Sequence, residues 1–304
     1  MRKAFAQALV DLAHADSRIV LLTADLGFGV LDDFAKTHPQ RFFNVGVAEA
    51  NMVGLATGLA EAGYIPFLYS IATFASLRPF EQLRNGPSLH HLPVRLIGIG
   101  GGFEYGPNGV THAALEDIGA MRLLPNMQII VPADERQACS ALQSTYAAPH
   151  PIYFRISKNE GIEIPGLSAD FDAEDIDIIH RGKDVLIVTS GPIAREALTA
   201  AELLAKREVS ATVAVVSSLQ PAPLKALAAL LSDFPIVTTV EAHRSNGGLG
   251  SLVAEYIADN GIGCRLMRCA VGGQVEGISG SESYMNAHFG LDAASISTRI
   301  LEAI

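Results

Sequence analysis

The sequence predicts an α/β fold of two doubly wound units, and three observations predict it. Short apolar runs alternate with amphipathic stretches along nearly the whole chain, as in mainly parallel sheets flanked by helices. Across residues 159–181 that alternation lapses into Gly, Pro and acidic residues, and then it resumes. At 304 residues the chain is long for one domain and comfortable for two, and 49% hydrophobic with 18% charged residues supplies a core without the charge density of disorder.

Each element follows from this pattern. In the first half, strands are expected at 19–23, 42–45, 65–69, 94–99, 127–131 and 152–156, all short runs dominated by apolar residues. Helices are expected between them near 5–13, 49–62, 72–84, 115–123 and 134–146. Gly63 stands where a helix C-cap precedes a strand. The polar stretch gives a linker at 166–181. Beyond it, strands at 185–189, 211–216, 236–240 and 264–269 alternate with helices near 194–206, 223–231, 249–258 and 293–303. The expected domains are therefore 1–165 and 182–304.

A formal net charge of −10 argues against nucleic acid or an anionic membrane as the main partner, while leaving room for a local basic pocket. The three cysteines, Cys139, Cys264 and Cys269, match neither a zinc nor a redox spacing, and their scarcity fits a reducing compartment. The N-terminus lacks the apolar core of a signal peptide, and no run of 18 apolar residues exists. The expectation is a soluble cytoplasmic protein.

The stretch from Phe43 to Gly54 is the most informative one. Its only ionisable residue is Glu49, set among small and apolar residues where a strand gives way to a helix. Burial of a lone carboxyl raises its pKa and suits it to share a proton. Complementing the positive end of the helix dipole is the alternative role. Two glycine clusters are weak signals. Gly98 to Gly102 misses the third glycine of the dinucleotide fingerprint and leads into no helix, which removes a nicotinamide oxidoreductase. Gly247-Gly248-Leu249-Gly250 precedes a helix and offers N–H groups to an anion, but lacks the Lys-Ser/Thr of a phosphate loop. His112 lies in a loop between a strand and a helix, a frequent ligand position in such folds, with a solvent-facing or capping histidine as the alternative.

Taken together, five segments in order resemble the C-terminal half of the transketolase family, over almost the whole chain: Thr23 to Leu26, Arg41 to Met52, Arg78 to Arg84, Asn108 to His112, and Val240 to His243 with Gly247 to Gly250. The resemblance implies a thiamine-diphosphate pyrimidine-binding domain with a mainly parallel sheet, followed by the smaller transketolase C-terminal α/β domain. It also implies a role for Glu49, as the carboxyl that bonds the cofactor pyrimidine ring nitrogen and favours the imino tautomer, whose nitrogen then takes the thiazolium proton. Asp25 matches an aspartate near the cofactor. Phe74 is the implied aromatic neighbour of the pyrimidine, with ordinary helix packing as its alternative. His112 matches a histidine that bonds the donor near its carbonyl and shuttles protons. Arg2 and Lys158 fall where the family holds a sugar phosphate, surface charge being the alternative for both.

The sequence also departs from the family pattern. Asn108 stands in place of an aspartate that reads a donor hydroxyl, Gly100 in place of a second substrate histidine, and Gly29 in place of a phosphate-binding serine. Lys158 replaces the usual arginine and offers a point charge instead of a bidentate fork. The identity and phosphorylation of the sugar substrate therefore stay open. No Gly-Asp-Gly motif for Mg2+ and the cofactor diphosphate occurs in the chain, and no metal ligand is assigned. The resemblance thus implies one half of a split transketolase that moves a two-carbon ketol unit, with diphosphate and Mg2+ held by a separate subunit in an α2β2 assembly. The rival readings are the β subunit of a 2-oxoacid dehydrogenase, a deoxyxylulose-phosphate-synthase-like enzyme, and a non-catalytic subunit of such a complex. Thr111-His112-Ala113 follows the transketolase style rather than the His-Ser pair of dehydrogenase subunits.

Overall fold

The apolar runs become the strands of two sheets in the computed structural model, which describes residues 1–304. In chain order the strands are β1 (Ile19–Thr23), β2 (Phe42–Asn44), β3 (Ile65–Ile71), β4 (Arg95–Ile99), β5 (Gln128–Ile130) and β6 (Ile152–Ile156). They continue as β7 (Asp177–His180), β8 (Val185–Thr189), β9 (Ala211–Val215), β10 (Ser218–Gln220), β11 (Ile236–Arg244) and β12 (Arg265–Val271). The helices are α1 (Arg2–Ala15), α2 (Asp32–Thr37), α3 (Glu49–Glu61), α4 (Ala72–Leu77), α5 (Phe80–Leu83) and α6 (Asp117–Arg122). They continue as α7 (Glu135–Thr145), α8 (Ala194–Ala205), α9 (Leu224–Asp233), α10 (Leu249–Asn260), α11 (Glu282–His288) and α12 (Ala293–Leu301). No helix is long and apolar enough to cross a membrane.

The first sheet has seven strands in the order β10-β5-β6-β4-β3-β1-β2 and the second has five in the order β12-β11-β8-β9-β7. Every pairing is parallel except at one edge of each sheet, where β10 and β7 run antiparallel. The central strands β1, β3, β4, β6, β8 and β9 are buried along their full length, which is why they read as near-continuous apolar runs. One continuous core joins the halves, with Val20, Met52 and Leu96 of the first packing in the same cluster as Leu186, Leu227 and Val253 of the second.

Two arginines sit inside this core. Arg95 is fully buried in β4, where its guanidinium donates to the carbonyls of Tyr146, Ala148 and His150 and holds the turn after α7. Arg155 of β6 donates to both oxygens of Asp117, at 2.8 and 3.0 Å, and to the carbonyls of Ala114 and Ala242, while the Tyr153 hydroxyl donates to Asp117 at 2.6 Å. Ala242 belongs to β11, so this buried group ties the two sheets together.

Four elements fall outside the sequence expectations, and one expected helix is broken. The last residues of the expected linker form β7, a half-buried edge strand. The other three are β10, α2 and α11, the last capped by the Ser281 side chain, which accepts from the Tyr284 N–H. The helix expected at 72–84 is divided, because Pro79 has no N–H and its ring crowds the preceding turn. α4 ends at Leu77, and Arg78 is left at the break.

Candidate active site

The candidate residues gather where ligands meet parallel sheets, at the carboxyl ends of the first sheet's strands. Asp25 follows β1, Phe74 lies in the helix that follows β3, His112 and Asn108 lie in the loop after β4, and Lys158 follows β6.

Glu49 is the first residue of α3 and only 2% exposed. It is buried as expected but not lone. Nη1 of Arg78 donates to its two oxygens at 3.0 and 2.8 Å, and the Ser70 hydroxyl donates to Oε1 at 3.1 Å. The expectation of an isolated carboxyl is thereby corrected: a positive partner from the helix break compensates its charge, and its place at a helix N-terminus adds to that.

From Glu49 a line of contacts runs outward. The Arg78 guanidinium lies over the Phe74 ring at 3.9 Å from its centroid. Phe74 meets the His112 ring edge-on, with centroids 5.1 Å apart. The His112 Nδ1 is 3.0 Å from the Thr111 hydroxyl. Tyr105 stands 6.5 Å from His112, and the Lys158 ammonium lies 4.5 Å over the Tyr105 ring. Behind this pair Glu104 is buried, and its Oε2 accepts the Lys158 N–H at 2.6 Å. Burial, reinforced by the nearby Glu282, pushes the Glu104 pKa up to about 7.

Thus Glu49, Phe74, His112 and Lys158 come together. The other three candidates are placed differently. Asp25, exposed and at φ +57°, exchanges two hydrogen bonds with the Asn44 side chain, at 2.9 and 3.1 Å. Asn44 Oδ1 also accepts the Gly46 N–H, so Asp25 reaches the start of α3 only through that turn. Arg2 is fixed in α1 by Glu160, with Nε 3.2 Å from Oε1. Asn108 is exposed at the end of a short 3-10 turn, Gly106–Asn108.

Sequence reasoning missed Arg78, Ser70, Glu104 and Tyr105. Arg78 stood inside one of the family-like segments next to Pro79, and the helix break that proline enforces was the available signal. The Gly247-Gly248-Leu249-Gly250 turn proves to be filled from within. Glu241, 1% exposed, accepts the N–H groups of Leu249 and Gly250 at 2.8 and 2.7 Å, so it takes the anion position at the α10 N-terminus. His243 beside it is fully buried, and its Nε2 accepts the Gly119 N–H of α6 at 3.2 Å.

Comparison with known proteins gives consistent results. The family described as "Transketolase, pyrimidine binding domain" matches residues 1–162, and "Transketolase, C-terminal domain" matches residues 174–296. A subunit of the apulose-4-phosphate transketolase of Phocaeicola vulgatus is 32% identical over 308 residues, covering 100% of this chain and 97% of that one. A 6-deoxy-6-sulfo-D-fructose transketolase subunit of a Clostridium species is 34% identical, covering 97% and 92%. A solved structure described as a split gene transketolase, inactive beta4 tetramer, superposes with a TM-score of 0.88 at 34% identity, covering 99% of this chain and 97% of that one.

Proposed function

This chain belongs to the transketolase family, and from that premise we propose that it is the pyrimidine-binding subunit of a two-chain, thiamine-diphosphate-dependent transketolase. In this reading residues 1–165 form the cofactor-facing unit, residues 182–304 the C-terminal unit, and residues 166–181 the connection. The observation that carries the site assignment is the burial of Glu49 at the root of a contact line through Arg78 and Phe74 to His112.

These residues fit the cofactor's pyrimidine. A carboxylate at a helix N-terminus, with acceptor capacity remaining on Oε2, is the acceptor that holds a protonated ring nitrogen, and the half-buried Phe74 offers an aromatic neighbour. When bound, thiamine diphosphate supplies the carbanion-stabilising chemistry for moving a two-carbon ketol unit between sugars. Glu49 holds the proton at the ring nitrogen, and Arg78 keeps the carboxylate aimed. Asp25, held at the end of β1 by Asn44 of β2, would face the cofactor from that edge. His112 orients the donor carbonyl and moves a proton to or from the oxygen beside it. Lys158, and Arg2 on release from Glu160, supply positive charge at the outer end of the sugar, with Asn108 on the loop between. The two relatives above are named for a phosphorylated and a sulfonated sugar, substrates that such charge would suit.

The diphosphate and its Mg2+ belong in this proposal to a partner subunit in the cytoplasm, with an α2β2 assembly. No Gly-Asp-Gly occurs in the 304 residues. No group of three or more His, Cys, Asp or Glu is arranged to hold a metal. The test is to co-purify the chain with a diphosphate-domain subunit and titrate thiamine diphosphate and Mg2+, for wild type and Glu49→Gln. The expected result is tight cofactor binding only in the complex, and ketol transfer reduced at least a hundredfold by the substitution. Robust cofactor binding by the isolated chain, or full activity of Glu49→Gln, would overturn it.

A further inference from the structure

We propose that Tyr105 is a substrate-contacting residue of this site, whose phenol hydroxyl reads a hydroxyl of the sugar in space that Gly100 leaves open; the proposal rests on the ketol-transfer reading above. Gly100 closes β4 at φ +79°, with its N–H bonded to the Ile156 carbonyl at 2.9 Å. A Cβ built on Gly100 would lie 2.5 Å from Cδ2 of Tyr105. No side chain fits at position 100 while the Tyr105 ring occupies that place. The glycine and the tyrosine are therefore a matched pair, and the ring takes the room that a residue such as histidine at position 100 would need.

The ring is also placed along the site. It neighbours both the His112 imidazole, 6.5 Å away, and the Lys158 ammonium, 4.5 Å away, so a sugar that reaches from His112 to Lys158 passes it. Glu104 fixes that placement, because its carboxylate accepts the Lys158 N–H and so ties the loop carrying Tyr105 to the end of β6. Tyr105 is half-buried, and burial and the charges of Arg2 and Glu104 are what act on its hydroxyl. Burial raises its pKa above the ordinary phenol value, so at neutral pH it stays a donor as well as an acceptor. A hydroxyl group of a polyhydroxy substrate needs both capacities. A free phenol group here contributes little to packing, and the ring alone would serve that purpose.

Tyr105→Phe separates the two roles, since it keeps the ring on Gly100 and under Lys158 and removes only the oxygen. The complex with the diphosphate-domain subunit is assayed with a panel of ketoses and ketose phosphates, and with hydroxypyruvate as a donor that has no distal hydroxyls. For the best ketose donor of the wild type, KM is expected to rise about tenfold in Tyr105→Phe, the loss of one neutral hydrogen bond. With hydroxypyruvate, kcat/KM stays within about twofold, as do the half-saturating thiamine diphosphate concentration and the thermal midpoint. An unchanged ketose KM, or an equal loss with both donors, overturns the assignment. Absence of turnover of every donor by the wild-type complex overturns the ketol-transfer reading itself, and the assignment with it.

Discussion

Arg78 binds Glu49 and stacks on Phe74 with one guanidinium, 2.8 Å from a carboxylate oxygen and 3.9 Å from the ring centroid. The acid and the aromatic of the proposed pyrimidine site are thus positioned by a single side chain, itself placed by the helix break at Pro79.

Removal of that guanidinium leaves a buried carboxylate without its positive partner. Arg78→Ala is expected to lower unfolding stability by about 1–3 kcal/mol, the lower part of that range reflecting the 44% exposure of the Arg78 side chain. Arg78→Lys restores the charge but not the flat contact with Phe74, so it recovers stability more fully than cofactor affinity. Denaturant unfolding and thiamine diphosphate titration of the complex read the two effects separately.

The buried group of Asp117, Arg155 and Tyr153 gives a larger effect. Asp117→Ala strands the Arg155 guanidinium, whose side chain is 7% exposed, and is expected to cost about 3–5 kcal/mol. Because Arg155 also holds the Ala242 carbonyl, the loss should show in both halves of the chain. Urea unfolding followed by probes in each half checks this; a cost below about 1 kcal/mol contradicts it.

Glu104 sets a pH dependence. Its pKa stands near 7 in the fold against the usual carboxylate value of 4.5, so between those limits the folded chain holds a proton that the unfolded chain has released. Stability from this group falls as pH rises from about 4.5 to about 7, by at most about 3 kcal/mol, and changes little beyond. Glu104→Gln stays neutral throughout. The stability of the wild type relative to the variant is therefore expected to decline from pH 5 to pH 8, measured by unfolding midpoints. A difference that stays constant or grows refutes the assignment.

Gly248 is constrained by a close approach. A Cβ there would overlap Oε2 of Glu241, the carboxylate seated on the α10 N-terminus. Gly248→Ala is expected to displace that carboxylate and cost about 1–3 kcal/mol, the penalty for leaving buried groups unpaired. Glu241→Gln fits the same space but keeps one acceptor oxygen for the two N–H groups, so it strands one of them and is expected to cost a similar amount. Thermal unfolding of both variants checks this.

Much of this was legible from periodicity. The strands at 19–23, 152–156 and 185–189 have the bounds that their apolar runs imply. β10 and β7 were not legible. One has three residues, and the other follows acidic residues and is half-buried, so neither shows an uninterrupted apolar run. At the site, Glu49 stood out as the one charge in an apolar stretch. Its partner did not, because Arg78 lies 29 residues away and only the packing of α3 against the α4 break brings them together. Tyr105 and Glu104 were hidden for the same reason: their neighbour Lys158 comes from the end of β6, far along the sequence.

β10 has a further consequence. Although it follows β9 of the second sheet, it pairs with β5 of the first, and the Gln220 side chain donates to the carbonyls of Leu124 and Met127. A chimera cut in the acidic segment would leave β5 with an open edge prone to self-association, and the donated unit with an unpaired strand. A cut after Gln220 fares no better, because it parts β8 and β9 from β11 of the same sheet. For recombination the two units therefore behave as one piece.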